Sequence, residues 1–266
     1  MRPFLKWAGG KYRVIDKIHA ALPEGKRLIE PFVGAAAVFL NSDYPHYLLA
    51  EANRDLIGLY KILKKEKQRF IDYACEFFTP AYNQEKKYYQ LRDLFNTTED
   101  KRFKAALFLY LNRHGYNGLC RYNSDSKFNV PYGRYKKPYF PEKEMRYFCR
   151  KLSRVKFVCA DFMATMKLAQ RGDVVYCDPP YVPLSKTAMF TDYYSGGFSE
   201  VQQLALVMQA QRLANKGVTT VISNHDTEFV QRHYQAAEIH RFEVQRSISC
   251  QGSRRGKVAE VLAVFR

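Results

Sequence analysis

The sequence predicts an α/β fold, a parallel sheet with helical crossovers and a helical insert. Three observations predict it. Short, β-branched apolar runs recur along the 266 residues, helix-period stretches separate many of them, and the alternation stops between about residues 57 and 144.

The strand-like runs are RLIEPF (27–32), HYLLAE (46–51), VKFVCAD (155–161), DVVYCD (173–178), GVTTVISN (217–224), EIHRFEV (238–244) and VAEVLAVF (258–265). Helical periodicity marks residues 11–22, 53–64 and 199–216, the last with Ser199 as its N-cap. Residues 57–144 contain no convincing strand. They read as several helices, the clearest over 101–113, followed by a loop rich in Tyr, Asn, Gly, Arg and Lys. The predicted domains are therefore an α/β core from 1–56 and 145–266, with 57–144 inserted.

Composition limits the partners. Forty-seven per cent hydrophobic residues suffice for a sizeable core, and 43 Lys and Arg against 26 Asp and Glu leave a net charge of +17, which suits a polyanion such as nucleic acid. Cysteines at 75, 120, 149, 159, 177 and 250 show neither CxxC spacing nor a paired pattern, so no metal and no disulfide framework is expected. A reducing cytoplasm fits best. The start MRPFLKWAGGKYR is too polar for a signal peptide and no 18-residue apolar run occurs, so neither export nor a membrane span is expected.

Two stretches point to a small ligand. In FLKWAGGKYRVIDKI the paired Gly9 and Gly10 precede a helix, which lets a ligand approach the backbone closely. Next, RLIEP runs into FVGAAAVF where open α/β sheets bind nucleotide-type ligands, yet without the G-x-G-x-x-G of a dinucleotide site. Glu51 ends the second strand about 20 residues on, where a carboxylate can hold both hydroxyls of a ribose or, alternatively, cap the helix beginning near Asn53. An adenosine-like body without pyrophosphate is required, and S-adenosyl-L-methionine fits.

The run DVVYCDPPY describes a buried strand that two prolines must end, delivering Asp178 to the ligand edge of the sheet. The carboxylate and the ring-locked Pro179 carbonyl can both accept from one exocyclic NH2, drawing its nitrogen toward tetrahedral geometry and freeing its lone pair. Pro180 stiffens the turn, and Tyr181 offers a flat face to a base. Cys177 precedes the acid inside the strand and reads as core rather than as a nucleophile.

FLKWAGGK, EPFVGAAAVF and DPPY, in that order with the insert between the second and third, resemble the amino-methyltransferases of the α class. The insert, LYLNRHGYNGLCRYN followed by FNVPYGRYKKPYFP, resembles the Dam family, which methylates adenine N6 in GATC; SNHDT (223–227) and RSIS (246–249) extend the likeness through essentially the whole chain. The resemblance implies a Rossmann-like S-adenosylmethionine-dependent methyltransferase sheet carrying a DNA-recognition domain. It implies cofactor contacts at Trp7, Gly9, Gly10, Lys11, Phe32, Gly34, Glu51 and Asp178, and at the Asp161 and Phe162 pair, which would face the adenine. Catalysis falls to Asp178, Pro179, Pro180 and Tyr181.

Two positions depart from the family. Glu51 replaces the usual Asp, and Ala36 stands where the F-x-G-x-G form has glycine, a methyl tolerable only if its φ stays negative. In the insert, Tyr116 and Asn117 match residues that open the duplex around an extruded base, while Leu119, Arg121, Pro131 and Arg134 match those that read base edges. Lys136 and Lys137 suit phosphate contacts. The expected partner is double-stranded DNA, bound by a monomer in the cytoplasm at the nucleoid. The rivals are a cytosine-N4 or RNA amino-methyltransferase, a catalytically silent DNA-binding protein and a nicotinamide oxidoreductase. The Dam-like insert opposes the first, the intact DPPY and Lys11 the second, and the missing pyrophosphate motif the third.

Overall fold

The computed structural model describes residues 1–182, 198–245 and 257–266. The sequence also suggests that two polar, glycine-containing loops, 184–198 and 247–257, order only when DNA or cofactor binds; apart from Phe198 and Lys257, these loops and the RSIS stretch lie outside the described residues. Seven strands occur among the described residues: β1 (Arg27–Glu30), β2 (His46–Glu51), β3 (Val155–Cys159), β4 (Asp173–Cys177), β5 (Thr219–His225), β6 (Glu238–Gln245) and β7 (Lys257–Phe265). Each coincides with a predicted run. The chain packs as two compact units, Met1–Arg13 with Gly34–Ser42 and Asn53–Cys159, and Val14–Val33 with Asp43–Ala52 and Ala160–Arg266.

The second unit is built on the order β2-β1-β4-β5-β7-β6. From β2 to β5 the pairing is parallel. The expectation of a parallel sheet fails beyond that: β7 runs antiparallel between β5 and β6. β6 follows β5 through a helix and lands one strand away. The final strand then folds back as a hairpin and fills the gap, so both β5 and β6 gain a ladder partner. β4 is buried at every residue, as a strand covered on both faces must be. At its start, Asp173 accepts from Arg27 Nη2 at 2.5 Å and Nε at 3.2 Å and from the Gln170 amide at 2.8 Å, so its buried charge is paired. Helix α9 (Glu200–Ala214) starts at the predicted Ser199 with a reciprocal capping box to Gln202.

The first unit is mainly helical and contains all of residues 57–144 together with flanking segments. α3 (Arg54–Glu66) is capped by Asn53, whose Oδ1 accepts from the amides of Asp55 and Leu56. α6 (Lys101–His114) is buried from Ala105 to its end, with α3, α4 (Gln68–Cys75) and α5 (Glu85–Thr97) packed around it. An all-round buried helix reads as a core element. Between residues 57 and 144 the only β pairing among the described residues is two isolated bridges, Gly115 with Tyr132 and Tyr122 with Phe128.

At the end of α6, His114 is 1% exposed, donates Nδ1–H to the Tyr110 carbonyl at 3.0 Å and stacks on the Tyr110 ring at 4.0 Å. Burial pushes its pKa down to about 4. The unfolded chain takes up that proton from pH 6.5 downward, so stability is complete above 6.5 and declines toward pH 4. The expected loss at pH 5 is about 2 kcal/mol relative to pH 7. His114→Phe, which keeps an aromatic ring in the stack, should flatten this acid limb in urea titrations at the two pH values. An unchanged limb would assign the acid sensitivity elsewhere.

Candidate active site and nucleic-acid interface

In the second unit β2, β1 and β4 are parallel, so their carboxyl ends share one edge. β1 has β2 on one side and β4 on the other. Strand order therefore reverses there, and ligands of open α/β sheets sit in front of such a reversal. Glu51 ends β2, Phe32 lies two residues beyond β1, and Asp178 follows β4 directly. The cap of α3 is Asn53, not Glu51; the Glu51 Oε1 accepts the amide of Ala52 at 3.0 Å. Phe32 stacks on Phe162 with centroids 5.5 Å apart at 22°, and Phe198 meets both edge-on at 5.6 and 5.2 Å. The three rings form one apolar cluster. Asp161 caps the short helix α8 (Phe162–Met166), its Oδ1 accepting from the Ala164 amide at 2.8 Å, which fixes the start of the helix that carries Phe162.

Asp178 is half-buried, Pro179 buried and Pro180 exposed. Tyr181 donates its hydroxyl to Glu260 Oε2 at 3.2 Å, and its ring stands edge-on to His225 at 4.7 Å. Burial, then the Asp178 charge, raises its pKa well above the ordinary phenol value, so the ring is neutral. Cys177 is fully buried with its thiol pushed far up by burial, which suits core and not a nucleophile.

In the first unit, Trp7, Gly9, Gly10, Lys11 and Gly34 come together. The Gly10 amide donates to the Trp7 carbonyl at 3.3 Å, and Lys11, 7% exposed, donates Nζ to the Gly9 carbonyl at 2.6 Å. Gly34 has φ +44°, and a Cβ there would stand 2.7 Å from Trp7 Nε1. The condition set for Ala36 is not met: its φ is 60° and ψ 37°, at the N-cap of α2 (Ala37–Asn41). The turn into α2 needs a left-handed residue, and alanine occupies it with its methyl wholly buried, at a backbone cost of roughly 1–2 kcal/mol.

The predicted DNA-contact residues lie on one loop of the same unit. Tyr116 (52% exposed), Asn117, Arg121, Pro131, Arg134, Lys136 and Lys137 are exposed and Leu119 is half-buried. The Tyr116 amide donates to the Pro131 carbonyl at 2.9 Å and the Asn117 amide to the Tyr135 hydroxyl at 3.0 Å. Asn117 and Arg134 both have φ of 53°. Arg121 Nε donates to Asn129 Oδ1 at 2.8 Å, and Arg134 stands 3.8 Å from Glu85. Buried Asn112 accepts from the Lys6 amide at 2.9 Å and donates to the carbonyls of Lys6 (2.7 Å) and Gly118 (3.2 Å), joining the FLKWAGGK segment to the loop. Asn112 and Asn129 escape sequence reading because amides inside a helix or loop look like ordinary surface residues. Among the described residues no group of three or more His, Cys, Asp or Glu is placed to hold a metal ion, and no helix is long and apolar enough to cross a membrane.

A carboxylate and a proline-locked backbone at a strand-order reversal, with an exposed polar and aromatic loop elsewhere in the chain, match a known class. Residues 7–248 correspond to the D12 class N6 adenine-specific DNA methyltransferases, and the chain belongs to that family. It is an enzyme that methylates adenine N6 in DNA. Within the class it is a Dam-family member. The DNA adenine methylases of Salmonella typhi and Escherichia coli strain K12 are 51% and 50% identical to it, over 99% and 100% of this chain and 95% of each relative. That of Vibrio cholerae serotype O1 (strain ATCC 39541) is 49% identical over 99% of this chain and 96% of its own length.

Proposed function

We propose that the chain transfers a methyl group from S-adenosyl-L-methionine to adenine N6 within GATC in double-stranded DNA, by base flipping and direct in-line transfer. The observation that carries this reading is the departure of the 178–181 loop from β4 at the strand-order reversal. The residues fit the cofactor in kind: Glu51 supplies a carboxylate for a ribose, the Phe32 and Phe162 rings supply apolar surface for a purine, and Gly34, packed so closely on Trp7 that a Cβ would strike the indole, is a further proposed contact. When bound, the cofactor supplies a methyl on a sulfonium, already a good leaving group. Trp7, Gly9, Gly10, Lys11, Asp161 and Asp178 complete its proposed contacts.

The protein's part is then positioning. Asp178 and the Pro179 carbonyl accept from the amino group, holding N6 with its lone pair free, and Tyr181 stacks on the extruded base. No covalent enzyme intermediate is formed. In the recognition domain, proposed as 57–144, exposed Tyr116 and Asn117 hold the duplex open. Leu119, Arg121, Pro131 and Arg134 read base edges, and Lys136 and Lys137 contact phosphates. The enzyme acts as a cytoplasmic monomer.

Incubation with labelled cofactor and duplexes with or without GATC, followed by digestion, should yield labelled N6-methyladenine only from GATC-containing DNA. Label in cytosine, or equal label in both duplexes, would refute the assignment. Arg134→Ala should relax discrimination at one base pair by roughly 1–3 kcal/mol, as a bidentate guanine contact does. Unchanged selectivity on singly substituted duplexes would remove Arg134 from the readout. Its contact with Glu85 is exposed on both sides, so losing it should leave folding intact.

A further inference from the structure

Pro179 and Pro180 have no N–H, so the backbone between β4 and Val182 cannot be held by a sheet ladder. Side chains from two other elements hold it instead. Gln203, near the start of α9 and 2% exposed, donates Nε2–H to the Pro180 carbonyl at 2.7 Å. Its Oε1 accepts from Asn224 Nδ2 at 3.2 Å. Asn224, on β5 and fully buried, gives its other Nδ2 hydrogen to the Tyr234 hydroxyl at 3.0 Å. Its Oδ1 accepts the Val182 amide at 3.0 Å and the His225 amide at 2.9 Å. Both donors and both lone pairs of this carboxamide are therefore used. His225 adds a third grip, donating Nδ1–H to the Val182 carbonyl at 2.9 Å.

The residues on both sides of Tyr181 are thus held by side chains from α9 and β5. The carboxamides of Gln203 and Asn224 each give a hydrogen to one neighbour while accepting from another. A carboxylate has no donor, and a hydroxyl lacks the reach. Tyr234, 1% exposed with its pKa raised to about 12 by burial, is a neutral, rigid end to the chain of bonds.

We propose that Gln203 and Asn224, backed by Tyr234, are positioning residues for methyl transfer, setting the orientation of the Pro179 and Pro180 backbone and with it the two acceptors offered to N6. This rests on the reading of 178–181 as the amino-group site. Misplacing a reacting group by about an ångström slows reactions by around a hundredfold, so loss of the grip is read in rate rather than in binding.

The test is single-turnover methylation by enzyme preassembled with duplex DNA and saturating cofactor, in which the amplitude counts folded sites and the rate constant reports their geometry. Gln203→Met, similar in length but without a donor, is expected to lower the rate constant roughly 10- to 100-fold while duplex affinity stays within about threefold. Gln203→Glu, nearly isosteric, keeps the test open should the methionine variant not fold, and is expected to slow the reaction at pH 8 at least as much. A loss of amplitude with the rate constant within about twofold of the native value in the folded variant would mean a purely structural role and would overturn the proposal. Asp178→Ala, run alongside, separates the two ideas. Native-like rate in that variant refutes the site itself; a silent Asp178→Ala with native-rate Gln203 variants refutes only the positioning role.

Discussion

Replacing Asp178 by alanine is expected to abolish methyl transfer, lowering the single-turnover rate at least about a thousandfold, or some 4 kcal/mol of transition-state stabilisation. Asp178 is half-buried directly after the fully buried β4, so truncation removes a carboxylate without disturbing the strand that carries it. Duplex affinity should remain within several-fold, because the exposed loop that carries Tyr116, Arg121 and Arg134 is separate in sequence and held by its own bonds. Wild-type-like turnover would overturn the proposed mechanism.

Gly34→Ala should weaken cofactor binding. The left-handed backbone at φ +44° costs an L residue roughly 1–2 kcal/mol. The new Cβ would also lie 2.7 Å from Nε1 and 2.9 Å from Cδ1 of Trp7, so the indole has to move. Because Trp7 is itself a proposed cofactor contact, the dissociation constant for S-adenosylmethionine should rise at least about tenfold, measurable by calorimetry. The melting temperature should fall by roughly 4–8 °C, as a loss near 2 kcal/mol does in a chain of this size. Native affinity in a folded variant would exclude Gly34 from the site.

The strands were readable from sequence because each carries apolar residues, continuously or in alternation, over a short span, a local property. The place of β7 was not: antiparallel entry between β5 and β6 depends on which ladder edges remain open after the earlier strands pair, and no local signal encodes that. Asp178 stood out because two prolines follow it. Gln203 did not, since EVQQLALV reads as an ordinary helix start and only the fold turns that amide toward Pro180. Ala36 shows the opposite limit. The residue was singled out, but its left-handed backbone follows from the turn into α2, which alanine alone would not suggest.

The antiparallel position of β7 bears on how the enzyme is made. β7 is the last strand of this sequence, yet it carries Glu260, the carboxylate that takes the Tyr181 hydroxyl, and it covers one edge of β5 from Thr220 to His225. A nascent chain emerges amino end first and folds as it emerges. While β7 is still inside the ribosome, β5 has an open edge and Tyr181 lacks this partner. The Tyr181 hydroxyl therefore gains this partner, and β5 the ladder on that edge, only after β7 has been made, so a chain stopped before residue 257 should lack both.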